Sequence, residues 1–422
     1  MIYNYLFYYA YGYLAKIFVQ DAEFLPIFSR ILTLIVTLSF SAALLIYIRK
    51  RSEQCLSRKI DYLQFCRLYL LPLVIFFGPF IGWWNLAARP DIFGMGLELC
   101  AIILFLMSKD TRDAPRTLLI TFIFWLAWSF KQSLIFGYLG FLAVLFIERR
   151  FRRLFASFIS FSLLCSLPLF WFGVPYLQNI IKVPAANPWQ LGFALRVFIE
   201  GIAAGSYIYL PLFFLLSRRM RKVCFGNANL RILLIIFVIT FIGGFISAGR
   251  WAGARNHYFS SYLVAGIFIL EYLFSSWGNG NGYQEKTTRY VCLSLYSIVF
   301  VLSSLYLILP NRFGKITLLT FSQRQAQKEN ISVIRAAAKP VFVEPNYLSL
   351  PWLCGQDYPD IADDTTYIFS GSTIVETRIK NLYYAEAFLF EESIWKDLFE
   401  GSGYKPADRL SGLIRFKRAQ TP

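Results

Sequence analysis

The chain reads as a polytopic α-helical membrane protein of about ten transmembrane helices, followed by a small C-terminal α/β domain. Three observations carry this. Of 422 residues, 57% are hydrophobic and only 16% charged, with 19% aromatic and a mean hydropathy of +0.51. Apolar runs of about 17–25 residues recur along the first three quarters, the length a helix needs to cross a bilayer. The net charge of +17 is unevenly placed: residues 311–422 hold 14 Lys/Arg against 13 Asp/Glu, leaving 28 against 12 for residues 1–310. In that first part the basic residues cluster in short loops, which is the positive-inside pattern and excludes a nucleic-acid footprint. Residues 1–310 are therefore expected to form the membrane domain and residues 311–422 a separate domain.

Taken in order, residues 1–20 are apolar but carry tyrosine at 3, 5, 8, 9, 11 and 13. Tyrosine favours the headgroup level, so an interfacial helix is expected there. A span at about 29–48 ends at Arg49, Lys50 and Arg51, which places that end in the cytoplasm. The next, about 63–83, then delivers Trp83-Trp84-Asn85-Leu86-Ala87-Ala88-Arg89-Pro90-Asp91 to the outer face, and a third, about 92–107, returns. Thr117–Ile147 is 31 residues, too long for one simple span and too short for two full ones. Because Arg149, Arg150, Arg152 and Arg153 follow it, the charge rule demands two short helices meeting at Lys131-Gln132. A turn at that depth needs protein or water around it, so Lys131 should face a cavity. Spans at about 154–172, 202–216, 232–246, 258–274 and 291–309 complete the count, with a proline-containing loop before the second of these and both termini outside.

Beyond Pro310 the composition turns soluble. Helices are expected at 322–338 and 391–400, and short strands at Val341-Phe342-Val343, Tyr367-Ile368-Phe369 and 413–416. The seven cysteines show no CxxC or paired spacing, so neither a disulfide framework nor a metal site follows, and no cofactor is expected.

The topology gathers three polar stretches on one face: Arg89-Pro90-Asp91, Ser129-Phe130-Lys131-Gln132-Ser133, and Gly249 through Phe259, which contains Arg250, Arg255, Asn256 and His257. Arg89, Lys131, Arg250, Arg255 and His257 make a cationic set suited to phosphate oxygens. Asp91, Glu98 and Glu200 are the carboxylates counted at similar depth, and Asp91 and Glu98, seven apart, share a helix face. Each polar residue also has a structural reading. Arg89 and Asp91 bridge each other with Asp91 as N-cap, Lys131 snorkels to the interface, and His257 is a hydrogen-bonded structural group.

At these residues the sequence resembles bacterial glycosyltransferases of the GT-C superfamily, related to protein O-mannosyltransferases and aminoarabinose transferases. Arg89-Pro90-Asp91 opening a span, Lys131-Gln132 in a short hairpin and Asn256-His257-Tyr258-Phe259 opening a late span recur there in that order. Pro340-Val341-Phe342-Val343-Glu344 with Leu353-Cys354-Gly355 resembles the family's small C-terminal domain. The likeness extends over most of the chain. It implies a polyprenyl-phosphate sugar as donor, a cell-envelope glycan, lipid or protein as acceptor, and a bacterial inner-membrane protein whose C-terminal domain is extracytoplasmic. It further implies a lipid-phosphate role for Arg89, Lys131 and Arg255, with Asp91, Gln132 and His257 shaping the site. In the family a first transmembrane helix and an acidic outer loop precede the segment matching Ile2–Val19. The catalytic base is accordingly expected upstream of Met1, with Asp91 as the in-chain fallback. The alternatives are a transporter or flippase of lipid-linked saccharide, and an inactive family member with a binding role.

Overall fold

A computed structural model describes residues 5–18, 25–55, 71–82, 90–108, 114–177, 188–216, 226–249, 254–278, 294, 298, 301, 321–338, 340–343, 379–389, 391, 393, 395–410 and 412–419. The helices are α1 (Tyr5–Phe18), α2 (Leu25–Cys55), α3 (Pro90–Ser108), α4 (Ala114–Phe130), α5 (Ile135–Ile147), α6 (Phe151–Leu177), α7 (Leu191–Ala204), α8 (Ser206–Leu215), α9 (Ala228–Ala248) and α10 (Phe259–Gly278). Two 3-10 turns, Gln132–Leu134 and Arg255–Tyr258, sit between α4 and α5 and just before α10. Arg89, Arg250, the expected span at 291–309 apart from three single residues, and the expected strand at 367–369 lie outside the described residues.

Five described helices are long and apolar enough to cross a membrane, or six if α7 and α8 count as one broken span. The chain is thus a multi-pass membrane protein. Its outward surfaces agree: α6 exposes Phe155, Phe158, Ile159, Leu163, Phe170 and Trp171, a face suited to lipid contact. The expected hairpin is present, with α4 ending at Phe130 and α5 starting at Ile135. The loop expected before a span at 202–216 is different. All of 191–204 is helical, and α7 meets α8 at an 86° bend at Gly205. The sequence signal was masked because α7 turns Leu191, Leu195 and Ile199 outward beside an exposed Arg196–Glu200 pair (2.9 Å), a mixed surface without a span's apolar run. Glu200 is therefore a surface residue and does not belong with the buried carboxylates.

The helices run alternately, and polar pairs mark the two ends of the bundle. At one end Asp91 at the start of α3, Lys131 after α4 and Asn256 before α10 converge. At the other, Glu271 near the end of α10 is gripped by the end of α2 and the start of α9. Arg51 donates to it twice at 2.8 Å, Asn229 Nδ2 donates at 2.9 Å, and the Tyr47 hydroxyl also bonds it. Asn227 caps α9 by accepting from Asn229 N (2.8 Å) and Leu230 N (3.3 Å), and its amide reaches Ser275. Between these ends α10 is almost wholly enclosed, so it forms the bundle's central pillar.

The C-terminal part contains α11 (Phe321–Ala336), α12 (Lys396–Gly401) and strands β1 (Val341–Val343), β2 (Glu386–Leu389), β3 (Tyr404–Leu410) and β4 (Leu413–Arg418). The sheet order is β1-β2-β4-β3, with β1 parallel to β2 and the other pairs antiparallel. Gly412 takes the positive φ (76°) that the β3–β4 turn requires. One side of the sheet packs Phe342, Tyr384, Trp395, Phe399 and Phe416. The other packs Val341, Val343, Phe388 and Leu413 against Ile331 and Ile334 of α11, and there Ala15 of α1 joins the same core. The N-terminal helix therefore contributes a residue to the buried cluster on that side of the sheet.

Candidate functional site

Pro90 begins α3, so Asp91 sits in the first turn and is not the N-cap that the sequence suggests. Its side chain does not turn back on its own helix. Buried to 1% exposure, Oδ1 pairs with Lys131 Nζ and accepts from Asn256 Nδ2 at 2.9 Å. Lys131 occupies the extended residue between α4 and the 3-10 turn (φ −148°, ψ 122°), which aims it into the bundle. Its ammonium also donates to the Asn256 carbonyl (3.4 Å) and lies 6.0 Å from the Phe259 ring centre. The cavity-facing lysine deduced from the hairpin is therefore inside, in an ion pair, and does not snorkel.

Asn256 ties the constellation together, and its role was not foreseen from the sequence. It belongs to the quoted Asn-His-Tyr-Phe stretch, yet a neutral amide gives no charge signal. It spans the pair by donating to the anion and accepting from the cation, so Asp91 and Lys131 are both paired and hydrogen-bonded, as burial demands.

The neighbouring groups follow from this. Arg255 is half-buried in the 3-10 turn, with Nη2 3.4 Å from where a Cβ on Gly82 would stand. Gly82 has φ +53° and no side chain, so the guanidinium can lie over the backbone there. His257 is half-buried beside it, its backbone N–H bonded to Ala254 O (3.1 Å). Beneath them Tyr207 and Tyr262 share a hydroxyl bond (2.6 Å), Tyr207 accepts from Phe80 N (3.3 Å) and Tyr262 donates to Val74 O (3.2 Å). Gln132 follows Lys131 in its own turn, and Arg89 falls outside the described residues.

Buried polar atoms at this end without a hydrogen-bond partner among the described residues include Asp91 Oδ2, Asn256 Oδ1, Gln132 Nε2 and Ser129 Oγ. Buried polar atoms are nearly always satisfied, so these open groups around one ion pair are places where a further polar group completes the bonding. No group of three or more His, Cys, Asp or Glu is placed to hold a metal among the described residues. Glu98 and Glu271, both fully buried, complete the intramembrane carboxylates. Glu271 could have been found as the one acidic residue in the apolar run 258–274.

No family model and no curated protein sequence matches the chain. Its fold, however, matches solved structures. ArnT from Cupriavidus metallidurans bound to undecaprenyl phosphate superposes with a TM-score of 0.60 at 12% identity, over 100% of this chain and 88% of that one. The apo state of the same protein gives 0.59 at 12% identity, over 98% and 87%. A likeness at that identity shows the architecture alone: the chain shares the fold of these ArnT structures, here a polytopic helical membrane part followed by a small C-terminal sheet.

Proposed function

We propose that the protein is a membrane glycosyltransferase that moves a sugar from a polyprenyl-phosphate donor to a cell-envelope glycan, lipid or protein. The observation that carries this reading is the buried Asp91–Lys131–Asn256 constellation with Arg255 beside it, at one end of a fold shared with a protein that binds undecaprenyl phosphate. The same reading makes the protein a bacterial inner-membrane one, with this end and the C-terminal sheet extracytoplasmic.

In the transfer, an acceptor hydroxyl attacks the anomeric carbon of the donor. The bond from that carbon to the phosphate oxygen breaks, and the polyprenyl phosphate leaves with the electron pair. Arg255, with Arg89 of the neighbouring stretch, stabilises the charge gathering on the phosphate. Lys131 is occupied by Asp91 and the Asn256 carbonyl, so its part is to orient Asp91 rather than to clamp phosphate. Asp91 Oδ2 takes the hydroxyl proton, Oδ1 being held by both donors. His257 and Gln132 border the sugar.

The test is transfer from a radiolabelled undecaprenyl-phosphate sugar, with undecaprenyl phosphate binding measured alongside. Arg255→Ala should weaken that binding by roughly ten- to hundred-fold, as loss of a charge-assisted contact does. Asp91→Asn, which leaves Lys131 without its charge partner, should lose no more than about ten-fold in binding but at least about a hundred-fold in transfer, the scale of a removed general base. Normal transfer by Asp91→Asn would end this assignment. One observation favours a second reading: the 86° break between α7 and α8 is of the kind transporters use. Movement of a fluorescent lipid-linked saccharide across proteoliposomes without any transfer would establish the flippase reading instead.

A further inference from the structure

Glu98 is used by nothing described so far. It lies in α3 seven residues after Asp91, two turns deeper on the same face, and is fully enclosed. Oε2 accepts from Ser260 Oγ at 2.7 Å. Oε1 lies against Gly137 of α5, where an added Cβ would come within 1.8 Å. A carboxyl group in the apolar middle of a bundle is costly and is retained where it serves the site.

Its partner shows what that service is. Ser260 follows Asn256 by four residues, one helical turn. A serine in a helix habitually donates to the carbonyl four residues back, as Thr33, Thr37, Ser41 and Thr121 do in this protein. For Ser260 that carbonyl is Asn256 O, which already accepts from Phe259 N–H and whose remaining lone pair Lys131 Nζ approaches at 3.4 Å. The Ser260 hydroxyl instead points across to α3. We propose that Glu98 is a positioning residue: it draws the Ser260 hydroxyl away from the Asn256 carbonyl and so reserves that carbonyl for Lys131. Glu98 touches no substrate. It acts through Ser260 on the orientation of Lys131, and through Lys131 on Asp91. The inference rests on the proposed site only for its ligand-binding readout.

The test uses the full chain in nanodiscs with Glu98→Met, Glu98→Gln, Ser260→Ala and the double variant Glu98→Met/Ser260→Ala. Glu98→Ala, which only removes atoms, replaces the methionine variant should that overfill the gap beside Gly137. Undecaprenyl phosphate is the probe. Glu98→Met should weaken its binding about five- to ten-fold, the scale of one misdirected buried hydrogen bond. Glu98→Gln, which still accepts from Ser260, should bind within about two-fold of the parent, and the double variant should recover to about the same level because no hydroxyl remains to compete. Rescue of one lost polar group by removal of a second is not what simple destabilisation produces. A double variant as weak as Glu98→Met or weaker, or parental binding by Glu98→Met, overturns the proposal. A ligand-free arm separates it from the functional reading. Lys131→Met should lower Tm less in the Glu98→Met background than in the parent, and the full drop should return in the double background. Strict additivity of these Tm changes overturns the proposal even if the parent chain binds no lipid phosphate, a result that by itself would sink only the lipid-phosphate reading.

Discussion

Asp91 and Lys131 are opposite charges shut in an apolar bundle, each with almost no contact with solvent. Such a pair adds little net stability over apolar residues of the same size, yet breaking it from one side is expensive because the other charge stays buried. Lys131→Met should therefore destabilise the protein by about 3–5 kcal/mol, read as a lowered Tm in detergent. Asp91→Asn/Lys131→Met should be more stable than Lys131→Met alone, since no orphan charge remains. A double variant no better than the single would show that the pair is not the source of the loss. The lysine's inward placement was legible in the sequence, because a 31-residue apolar run between basic flanks has to fold back at its middle. Its partner was not legible, since 40 residues separate Lys131 from Asp91 and the stronger local expectation paired Asp91 with Arg89.

At the scale of elements, close approach depends on glycine. Gly137 leaves the space that the Glu98 carboxylate fills, and Gly94 lets α3 press on Leu134, 2.3 Å from where its Cβ would be. Gly137→Ala should push Glu98 off Ser260 and cost about 1–3 kcal/mol, the range for overpacking a core. Adding Glu98→Ala should return most of that, and thermal unfolding of the pair decides it. At the far end of the bundle, Arg51 grips Glu271 with a two-pronged contact that lysine cannot copy. Arg51→Lys should therefore lower Tm by less than Arg51→Met, which leaves Glu271 with Tyr47 and Asn229 as its partners among the described residues. Equal losses would mean that the two-pronged geometry is immaterial. The strands β2 and β3 were missed from sequence for different reasons. Glu386–Leu389 is four residues buried on both faces with no alternation, and Tyr404–Leu410 carries Lys405, Pro406, Asp408 and Arg409 on an exposed sheet edge. Pattern reading depends on one face differing from the other, and neither strand offers that in the ordinary form.

For the whole molecule, the decisive quantity is sidedness. The alternating helices place Gln190 near the Asp91 end and Arg149 at the opposite end, both exposed. In a cysteine-free background, Gln190→Cys should react with a membrane-impermeant maleimide added to intact spheroplasts, while Arg149→Cys should react only after lysis. The reverse pattern would invert the proposed orientation and move the site to the cytoplasmic side. The tyrosines of the N-terminal helix suggest an interface, and Ala15 of the same helix is buried in the cluster that includes residues of α11, β1, β2 and β4.

The sequence by itself determined the membrane class, the hairpin at Lys131 and the placement of Asp91, Lys131 and Asn256 at one end of the bundle. These follow from bilayer thickness and loop charge, which act on local runs of residues. Only the tertiary structure decided that Asn256 joins Asp91 to Lys131, that Ser260 turns to Glu98, and that Arg51 closes on Glu271 across 220 residues. Hydrogen bonds and ion pairs have a reach of about 3 Å and an angular demand, so their partners are set by helix register and close packing. Those are properties of the assembled bundle, which no local pattern of residue types encodes.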